Sequence, residues 1–491
     1  MNSTTDTYDL AVIGGGTAGL VSAFVASSLG AKVVLIERER IGGECLWTGC
    51  VPSKTLIKSA RVYDTVKRAA EFGVHLEAAR VMWPAIQMRI LAVRDEIREN
   101  ERREIEKAGL ETVKGTARFE NATTLRVTTA TEERVIRAPK VILATGSRTR
   151  VPDLEGLQDA GFVTHMDIYD MKRLPRALTI LGGGPIACEF AQAFRRLDCA
   201  VTIIQKSDRL LPREDRDISL ECERVMRQMG IAIHLNATAI RARSEDGKKL
   251  VDFQLPDGAS QTASGNEILV AVGKEAGQKS FGAPKDADFK DDLNLAAANV
   301  QMSDDGIVVD EYLKSSASNI WACGDCTGGY LFTHVAEYEA KIAAQNALLP
   351  LKAKTNGRVV PWTTFTDPEI SHLGLTEEEA RQDGPCKIYR AHFKDLDRAI
   401  IEGETEGFLK VVTGPSGRIV GAHIIGPQAG ELIHAFVGAV RDGMLIQEMA
   451  ETIHVYPTLS EIAHRAGNMS YQELLDSSLV KRGLRWVSKL S

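Results

Sequence analysis

A pattern of strand, glycine-rich turn and helix occurs twice in this 491-residue chain and constrains its fold more than any other feature. In the first copy, the apolar run Leu10–Ile13 leads into residues 14–19 (GGGTAG), a helical pattern and a second strand that ends on Glu37. Such a turn lets backbone approach a pyrophosphate at a helix N-terminus, while the acid accepts a hydrogen bond from a ribose hydroxyl. The pattern predicts a dinucleotide-binding fold with these contact residues: Gly14, Gly16, Gly19 and Glu37.

The second copy begins with a strand at residues 178–181 and continues through the turn 182–187 (GGGPIA) and a helix over 188–197. A further strand then leads to Gln205, which follows Ala187 by the same interval at which Glu37 follows Gly19. We expect Gly182, Gly184 and Ala187 to form the second binding turn. Two such units predict two dinucleotides, and hydride transfer between a flavin and a nicotinamide is the usual reason for one chain to bind both.

The two copies differ in charge where the second strand ends. The first copy has the carboxylate of Glu37, whereas the second has the neutral Gln205, followed by Lys206 and Arg209. A carboxylate binds the 2′-hydroxyl of NADH and repels the 2′-phosphate of NADPH, while an amide beside two cations does neither. The sequence therefore favours NADPH, with NADH as the alternative if both cations are only solvated surface charges.

Residues 42–54 (GGECLWTGCVPSK) hold two cysteines, Cys45 and Cys50, close to Lys54. A disulfide between them requires a distorted backbone, and such a strained bridge is easily reduced. A thiolate at a helix N-terminus near a lysine has a lowered pKa. Two buried thiols and half of a zinc site are the alternatives. Zinc ligands usually come in more closely spaced pairs, so we expect no metal site.

This segment resembles the redox-active signature of the pyridine nucleotide–disulfide oxidoreductases, which include dihydrolipoyl dehydrogenase, glutathione reductase and mercuric reductase. The resemblance extends to residues 144–147 (ATGS), to 270–273 (VAVG), which resemble the family's segment after the nicotinamide domain, and to 320–325 (IWACGD). The last of these matches the family's second FAD motif, in which the acid, here Asp325, hydrogen-bonds the ribityl chain. It implies an α/β protein with two Rossmann-like dinucleotide-binding domains, for FAD and NAD(P), and a C-terminal α+β dimerisation domain that forms a homodimer. The expected boundaries are 1–150 with 280–350 for FAD, 151–279 for NAD(P), and 359–491 for dimerisation.

The resemblance also implies roles for individual residues. Cys45 would be the interchange thiol that attacks the acceptor, and Cys50 the thiol that donates charge to the flavin. Lys54 and Glu189 match an ion pair beside the flavin. Further cofactor contacts are implied at Lys54, Gly115, Ala117, Thr145, Gly146, Gly273, Asp325 and Thr333.

The closing motif of the family is altered in residues 453–461 (IHVYPTLSE). The family has a histidine directly before the proline as general acid and base, with a later glutamate that orients it. Here Tyr456 precedes the proline, and Glu461 is retained. A phenol with a pKa near 10 is a poor base, so dihydrolipoamide or glutathione turnover is doubtful. Three alternatives stay open: Tyr456 donates a proton, His454 acts as base, or the acceptor needs no proton shuttle. His454 is otherwise a structural histidine.

The predicted function is that of an FAD-dependent NAD(P)H oxidoreductase that passes electrons through Cys45 and Cys50 to a disulfide, metal-ion or quinone acceptor. Residues 190–194 (FAQAF) and 324–327 (GDCT) are similar to mercuric reductase, although residues 479–491 lack that enzyme's cysteine pair. Dihydrolipoyl dehydrogenase, with NADH and lipoamide, is one alternative. A flavoprotein kept as a non-catalytic binding subunit is the other.

The composition of the chain indicates which classes of partner to expect. A net charge of −6 gives no basic stripe for nucleic acid, so we expect a small-molecule or protein-disulfide substrate. No signal peptide and no membrane-spanning apolar run are found, which together with sparse cysteines predicts a cytoplasmic protein. The basic and apolar tail 481–490 is a candidate for surface association, with a docked or frayed tail favoured. The cysteines outside the redox segment are expected to be buried packing residues.

Overall fold

The computed structural model describes residues 5–276, 293–357 and 359–476. The tail that the sequence analysis singled out, 481–490, lies outside these described residues. The chain divides into two compact units, which are described separately below. Unit 1 takes Met1–Asp153, Val163–Leu174 and Leu269–Asn356, and unit 2 takes Leu154–Phe162, Pro175–Ile268 and Gly357–Ser491. The three domain boundaries expected from the sequence stay a prediction.

Both units combine β-α-β segments with runs of consecutive strands. In chain order the strands are β1 (Thr5–Thr7), β2 (Leu10–Ile13), β3 (Val33–Glu37), β4 (Glu111–Lys114), β5 (Thr116–Asn121), β6 (Thr124–Thr128), β7 (Glu133–Arg137), β8 (Lys140–Leu143), β9 (Arg148–Thr149), β10 (Ala177–Leu181), β11 (Ala200–Ile204), β12 (Ala232–His234), β13 (Thr238–Glu245), β14 (Lys248–Gln254), β15 (Ser260–Gly265), β16 (Glu267–Val270), β17 (Lys274–Glu275), β18 (Ile320–Ala322), β19 (Trp362–Thr364), β20 (Glu369–Gly374), β21 (Lys387–His392), β22 (Phe408–Thr413) and β23 (Ile419–Gly426).

The helices are numbered in the same way. They are α1 (Thr17–Ser28), α2 (Gly43–Trp47), α3 (Cys50–Lys67), α4 (Trp83–Lys107), α5 (Leu157–Ala160), α6 (Pro185–Arg196), α7 (Arg216–Gln228), α8 (Thr333–Leu348), α9 (Glu377–Asp383), α10 (Asp397–Glu402), α11 (Ala429–Leu432), α12 (His434–Asp442), α13 (Ile446–Glu451) and α14 (Glu461–Asp476).

Unit 1 is built on a parallel sheet of five strands in the order β18-β8-β2-β3-β4. The strands β2, β3 and β8 are almost continuously apolar and buried, as expected for parallel strands covered on both faces. A second sheet, β1-β7-β6-β5, and the short antiparallel pair β17-β9 complete the unit. The carboxyl ends of the parallel strands therefore carry the glycine turn after β2 and the segments after β3, β8 and β18.

The glycine turn after β2 needs glycine at two positions. Gly14 has a φ of +107°, and a Cβ there would lie 2.2 Å from the carbonyl oxygen of Ala144. A Cβ at Gly19 would lie 1.7 Å from the carbonyl oxygen of Gly14. Both distances are far below van der Waals contact, so strand, turn and helix come this close only with glycine.

Unit 2 repeats the same arrangement. The parallel strands β12-β11-β10 are followed in the chain by the antiparallel sheet β13-β14-β15 and by the five-stranded antiparallel sheet β19-β20-β23-β22-β21. Gly182 follows β10 with a φ of +110°, and its N–H donates to the carbonyl of Ile204, as the N–H of Gly14 donates to Ile36. The internal repeat predicted from the sequence is confirmed.

The predicted elements match the structure closely, with small shifts at their ends. The helix expected over 188–197 is α6, which starts earlier at Pro185 because proline fits the first turn of a helix, where its missing N–H costs nothing. The strand predicted to end on Glu37 is β3, which does end there. The predicted α/β class, with two Rossmann-like units and a C-terminal α+β domain, is confirmed.

The isolated cysteines are mostly buried, as predicted. Cys323 and Cys326 are fully buried, and the Cys326 thiol donates to the carbonyl oxygen of Cys323 at 3.3 Å, so this pair packs beneath its turn. Cys188 is also fully buried, and its thiol donates to the carbonyl oxygen of Gly183 at 3.6 Å. The prediction is wrong for Cys386, which is only half-buried.

Within residues 5–276, 293–357 and 359–476, none of the helices combines the length and the apolar character needed to cross a bilayer.

Candidate active site and cofactor-binding turns

The redox segment of unit 1 lies against the first glycine turn. Cys45 is in the short helix α2, and Cys50 is the first residue of α3. Gly43 approaches the turn so closely that a Cβ on it would lie 2.6 Å from the Cα of Gly16. Gly49 is equally constrained, since its N–H donates to the Glu44 carbonyl at 2.6 Å. Glycines therefore fix both thiols relative to the predicted pyrophosphate turn.

Both cysteines are present as thiols, and they interact with each other and with Thr333. The hydrogen bond to Cys50, burial, and the negative charge of Cys50 all raise the pKa of Cys45. The Thr333 hydroxyl lies 3.4 Å from the Cys50 sulfur, at the first residue of α8. Cys50 thus lies beside the N-termini of α3 and α8, whose dipoles stabilise negative charge. The lowered pKa expected for this segment does not apply to Cys45.

A partly buried charged network starts at Glu44, the residue before Cys45. Its carboxylate lies 2.7 Å from His165 Nε2 and 3.0 Å from the Lys274 ammonium. Burial raises the pKa of Glu44, but His165 and Lys274 outweigh that effect and hold it at about 2. The His165 ring is held from its other side, since Nδ1 lies 3.3 Å from the Thr149 hydroxyl. Glu44 is therefore a carboxylate at every physiological pH.

Lys274 connects this network to the second FAD motif. Its ammonium donates to Asp325 Oδ2 at 2.8 Å, and the Ser147 hydroxyl donates to the same oxygen at 2.6 Å. Burial lowers the pKa of Lys274, but the negative charges of Glu44 and Asp325 more than compensate and raise it overall. Asp325, predicted to bind the ribityl chain, is thus held between two donors.

Glu44, His165 and Lys274 were not predicted from the sequence as site residues. Glu44 lies inside the redox motif and Lys274 directly follows the motif 270–273, so these motifs could have identified both residues as candidates. His165 lies in a segment with no recognisable motif. Its part in the site depends on a contact with Glu44, which is distant in sequence.

The first glycine turn fits the adenine dinucleotide half of FAD. Glu37 accepts hydrogen bonds from the N–H groups of Gly15 at 2.5 Å and Glu39 at 2.6 Å, so its carboxylate lies at the turn. Gly16 caps the N-terminus of α1, whose first amides have no partner within the helix. A dinucleotide with its pyrophosphate on these amides and its ribose on Glu37 uses the groups that the turn presents.

The other predicted FAD contacts also lie in unit 1. Gly115 follows β4 and donates to the carbonyl of Glu37, and Ala117 is buried in β5. Lys54 lies half-buried on α3. The remaining three residues follow parallel strands or begin a helix near them: Thr145, Gly146 and Thr333. Gly273, predicted for the nicotinamide side, also belongs to unit 1, where its carbonyl accepts from Arg150 at 3.0 Å.

The second glycine turn, in unit 2, fits a nicotinamide dinucleotide. Gly184 caps α6, and nothing lies within 4 Å of the position that a Cβ would take on it. Ala187 is fully buried one turn further along the helix. Gln205 donates to the carbonyl of Arg209 at 3.3 Å, and Lys206 is exposed in the same loop. The loop thus presents an amide and two cations, with no carboxylate at the position that Glu37 takes in unit 1.

Glu189 is buried in α6, and its Oε1 accepts a hydrogen bond from the N–H of Phe365 at 2.9 Å. This contact fixes the carboxylate within unit 2. Lys54, its expected partner, belongs to unit 1, so the ion pair beside the flavin stays a prediction.

The closing motif is exposed at the surface of unit 2. Tyr456 has 66% of its surface exposed, and its hydroxyl donates to Asp397 Oδ2 at 2.8 Å. This hydrogen bond, the charge of Asp397 and the charge of Glu461 raise the pKa of Tyr456 above its usual value. His454 Nδ1 lies 2.8 Å from the carbonyl oxygen of Thr452. At neutral pH, Tyr456 is therefore a protonated phenol and not a base.

A family model described as pyridine nucleotide-disulphide oxidoreductase matches residues 8–340, and a second, the dimerisation domain of that family, matches residues 360–466. The chain belongs to this family. Its members use FAD with NAD(P)H as electron donor, so the predicted enzyme class and cofactors are confirmed at this level.

Similar proteins carry different names within the family. The chain is 34% identical to a mercuric reductase of Bacillus cereus over 458 residues, 92% of this chain and 70% of that protein. It is also 34% identical to a dihydrolipoyl dehydrogenase of Bacillus subtilis (strain 168) over 462 residues, 93% of this chain and 97% of that one. Among solved structures, the HOCl-induced flavoprotein disulfide reductase RclA of Escherichia coli matches with a TM-score of 0.81 and 28% identity, covering 93% of this chain and 98% of that one.

The Glu44 network predicts a specific dependence of stability on pH. The folded pKa of Glu44 is about 2 against an ordinary value of 4.5, so the network stabilises the fold fully above pH 4.5. This stability, on the order of 3 kcal/mol, is lost as the pH falls through the folded pKa. In Glu44→Gln, we expect the free energy of unfolding, measured with urea, to fall by this order at pH 7 and to approach the unmodified protein near pH 2.

The exposed Glu39, two residues beyond Glu37 in the same unit, provides the control. Glu39→Gln should change the urea midpoint little at either pH, because an exposed carboxylate contributes little. Equal loss of stability in Glu44→Gln at pH 7 and at pH 2 would show that the network is not the source of the effect.

Proposed function

We propose that this chain is an NADPH-dependent flavoenzyme that passes electrons through Cys45 and Cys50 to a soft metal ion or another acceptor that needs no protein base. Tyr456 is the single observation that carries the proposal. It stands where the family has its histidine base, and its phenol proton is committed to Asp397. Relatives named mercuric reductase support an acceptor of this kind.

A bound FAD would supply the redox chemistry that connects hydride from the nicotinamide with the disulfide form of the cysteine pair. The chain's own residues act on the thiols that result. Cys50 lies beside two helix N-termini that stabilise a thiolate, and its hydrogen bond to Cys45 raises the pKa of Cys45. Glu44 and its partners hold the segment that carries Cys45.

A metal ion as acceptor explains how the enzyme works without a base. Thiolates bind soft metal ions strongly, and binding displaces the thiol proton directly to water. The raised pKa of Cys45 is therefore no obstacle, since the metal ion itself promotes the ionisation. A disulfide acceptor differs, because its leaving thiolate must be protonated and the attacking Cys45 must first lose its proton.

The acceptor is tested with a panel of mercuric ion, cupric ion, a quinone, glutathione disulfide and lipoamide under NADPH. We expect turnover with the soft metal ions to exceed turnover with lipoamide. In Tyr456→His, the restored imidazole should raise lipoamide turnover by about a hundredfold and so raise the ratio of lipoamide to metal-ion activity. Steady-state rates with each acceptor provide the measurement.

Tyr471→His is the matched control, because the hydroxyl of Tyr471 also donates to a carboxylate, that of Glu451. It should leave the ratio unchanged. Efficient lipoamide turnover by the unmodified protein would instead support a dihydrolipoyl dehydrogenase and contradict the role given to Tyr456. No flavin reduction by NADPH under anaerobic conditions would favour a binding subunit without catalysis.

We propose NADPH as the donor because the loop after β11 lacks a carboxylate at residue 205. The amide of Gln205 is held by the backbone of Arg209, whose guanidinium donates to the Pro212 carbonyl at 3.0 Å. Lys206 adds a second, exposed cation to this loop. This charge pattern suits the 2′-phosphate of NADPH.

Replacing Gln205 tests the donor. In Gln205→Glu, the new carboxylate should repel the 2′-phosphate and accept from a 2′-hydroxyl, so kcat/KM for NADPH should fall by about tenfold or more while that for NADH rises. The exposed Gln254→Glu of β14 is the control and should change neither value. A preference for NADH in the unmodified protein would overturn this proposal.

We further propose that the chain forms a homodimer, in line with its match to the family's dimerisation domain. Residues of the closing motif expose large apolar surface: Ile453 is 98% exposed, Val455 74% and Tyr456 66%. Neighbouring apolar side chains exposed to this degree mark an interaction surface. A second copy of the chain is the occupant that the family match supports.

A charge placed on this surface should separate the subunits. With both Ile453→Asp and Val455→Asp, we expect the mass measured by light scattering to fall from that of a dimer to that of a monomer, because a desolvated carboxylate is costly in an interface. Ile240→Asp, at an exposed isoleucine of β13, should remain dimeric. A doubly substituted protein that stays dimeric would exclude this surface as the interface.

A further inference from the structure

Three buried side chains of unit 2 converge away from the redox thiols. Glu214 precedes α7, His372 lies on β20 and His423 lies on β23. The two histidines are directly paired across the antiparallel strands. Glu214 is 4% exposed, His372 3% and His423 0%, so water has almost no access to them.

One atom of each side chain has no hydrogen-bond partner. These atoms are Glu214 Oε2, His372 Nδ1 and His423 Nδ1. One possible ligand atom of each residue lies within 4.8 Å of those of the other two, and His372 Nδ1 is 3.2 Å from Glu214 Oε2 without the geometry of a hydrogen bond. Buried polar atoms are almost always paired, so three unpaired atoms in one cluster need an explanation.

The opposite atom of each side chain is firmly held. His372 Nε2 lies 2.9 Å from the Gly374 carbonyl oxygen, and His423 Nε2 lies 2.9 Å from that of Leu375. The indole N–H of Trp362 donates to Glu214 Oε1 at 2.6 Å. A carbonyl accepts only from a protonated Nε2, so in the neutral ring of each histidine the lone pair lies on Nδ1.

This arrangement is the one that metal-binding histidines show in proteins. Such a histidine donates its outer N–H to a carbonyl or carboxylate, which fixes the ring, and turns its other nitrogen to the metal. A tetrahedral Zn²⁺ with bonds of about 2.1 Å separates its ligand atoms by about 3.4 Å, close to the spacing of His372 Nδ1 and Glu214 Oε2. Without a cation, lone pairs on buried nitrogens face a buried carboxylate, which is unfavourable.

We propose that Glu214 Oε2, His372 Nδ1 and His423 Nδ1 bind one divalent cation of the zinc class. Two imidazoles and a carboxylate suit Zn²⁺ and similar borderline ions and disfavour Mg²⁺ and Ca²⁺, which prefer oxygen ligands. No metal site was expected from the sequence. The three ligands form no recognisable motif, because they come from a loop and two strands far apart in the chain.

The site would act as a structural crosslink. It joins the loop before α7 to two adjacent strands of the five-stranded sheet, so the ion would fix that loop on the sheet. Trp362 covers the cluster, with its ring stacked on His372 at a centroid distance of 3.6 Å. This inference is independent of the proposed acceptor, since none of the three ligands is a redox thiol.

A metal-free arrangement is the competing explanation. If His372 carried protons on both nitrogens, it would form a buried ion pair with Glu214, and no cation would bind. The two cases differ in metal content and in the coordination that a bound ion shows.

The experiment uses full-length protein with Cys45→Ser and Cys50→Ser, so that the thiols cannot bind metal. After dialysis against a chelator, Zn²⁺ is titrated by calorimetry, and the zinc environment is measured by X-ray absorption. We expect one Zn²⁺ per chain, with nitrogen and oxygen ligands at about 2.0–2.1 Å and no sulfur. Mg²⁺ should not compete, and the melting temperature should rise by several degrees on zinc binding.

His372→Gln should lose the bound zinc, whereas His434→Gln, at an exposed histidine of α12, should keep it. Circular dichroism of His372→Gln checks that the fold survives. If that variant does not fold, the absorption spectrum of the protein with an intact cluster decides alone, since two imidazole ligands are required. No zinc uptake, sulfur in the coordination shell, or uptake that persists in folded His372→Gln would overturn the proposal.

Discussion

The two ion pairs of the Lys274 ammonium hold together the candidate site of unit 1. This partly buried ammonium lies between the carboxylates of Glu44 and Asp325, at 3.0 and 2.8 Å. Taking a charge out of water is costly unless it is paired, so the loss of either carboxylate would weaken this network. Because Glu44 directly precedes Cys45 and Asp325 stands in the second FAD motif, one cation fixes the thiol segment relative to the predicted flavin site. Reactive groups held in this way need little reorganisation when they react.

The two glycine turns share one backbone conformation but present different charges to a dinucleotide. In unit 1 a Cβ on Gly15 would lie 3.0 Å from the Glu37 side chain, and in unit 2 a Cβ on Gly183 would lie 2.9 Å from that of Gln205. Each second glycine thus makes room for the residue that ends the second strand. The geometry is shared, while the charge of that residue differs. Under the proposed preference for NADPH, one side chain and its loop would decide cofactor choice on a shared backbone scaffold.

Features held by local sequence were predictable. The turn at Gly14 has a positive φ and a close backbone contact. Both require glycine, so the turn can be recognised in the sequence from the spacing of its glycines. The substitution at Tyr456 was also visible, because the motif around it is short and contiguous. These positions depend on backbone geometry or on a motif within a few residues.

Features that depend on tertiary contacts were not predictable. His165 contacts Glu44, which is distant in the sequence, and the residues next to His165 form no motif that predicts this contact. The pairing of His372 with His423 depends on the register of β20 against β23. A shift of one residue would turn one histidine to the opposite face of the sheet and disperse the cluster. Single histidines in strands are ordinary, and only the folded register makes this pair unusual.

The pKa values of the Cys45 thiol and the Tyr456 phenol bear on which acceptor would suit this protein. On the thiol side, charge is arranged in advance: Cys50 lies beside two helix N-termini, while the pKa of Cys45 is raised by its neighbour. On the side of the closing motif, Tyr456 gives its proton to a hydrogen bond with Asp397 and has no basic form at neutral pH. Under the proposed function, a soft metal ion would suit a thiol with a raised pKa, since sulfur binding and loss of the proton occur together. The acceptor would then supply, through its affinity for sulfur, what the phenol of Tyr456 does not supply as a base.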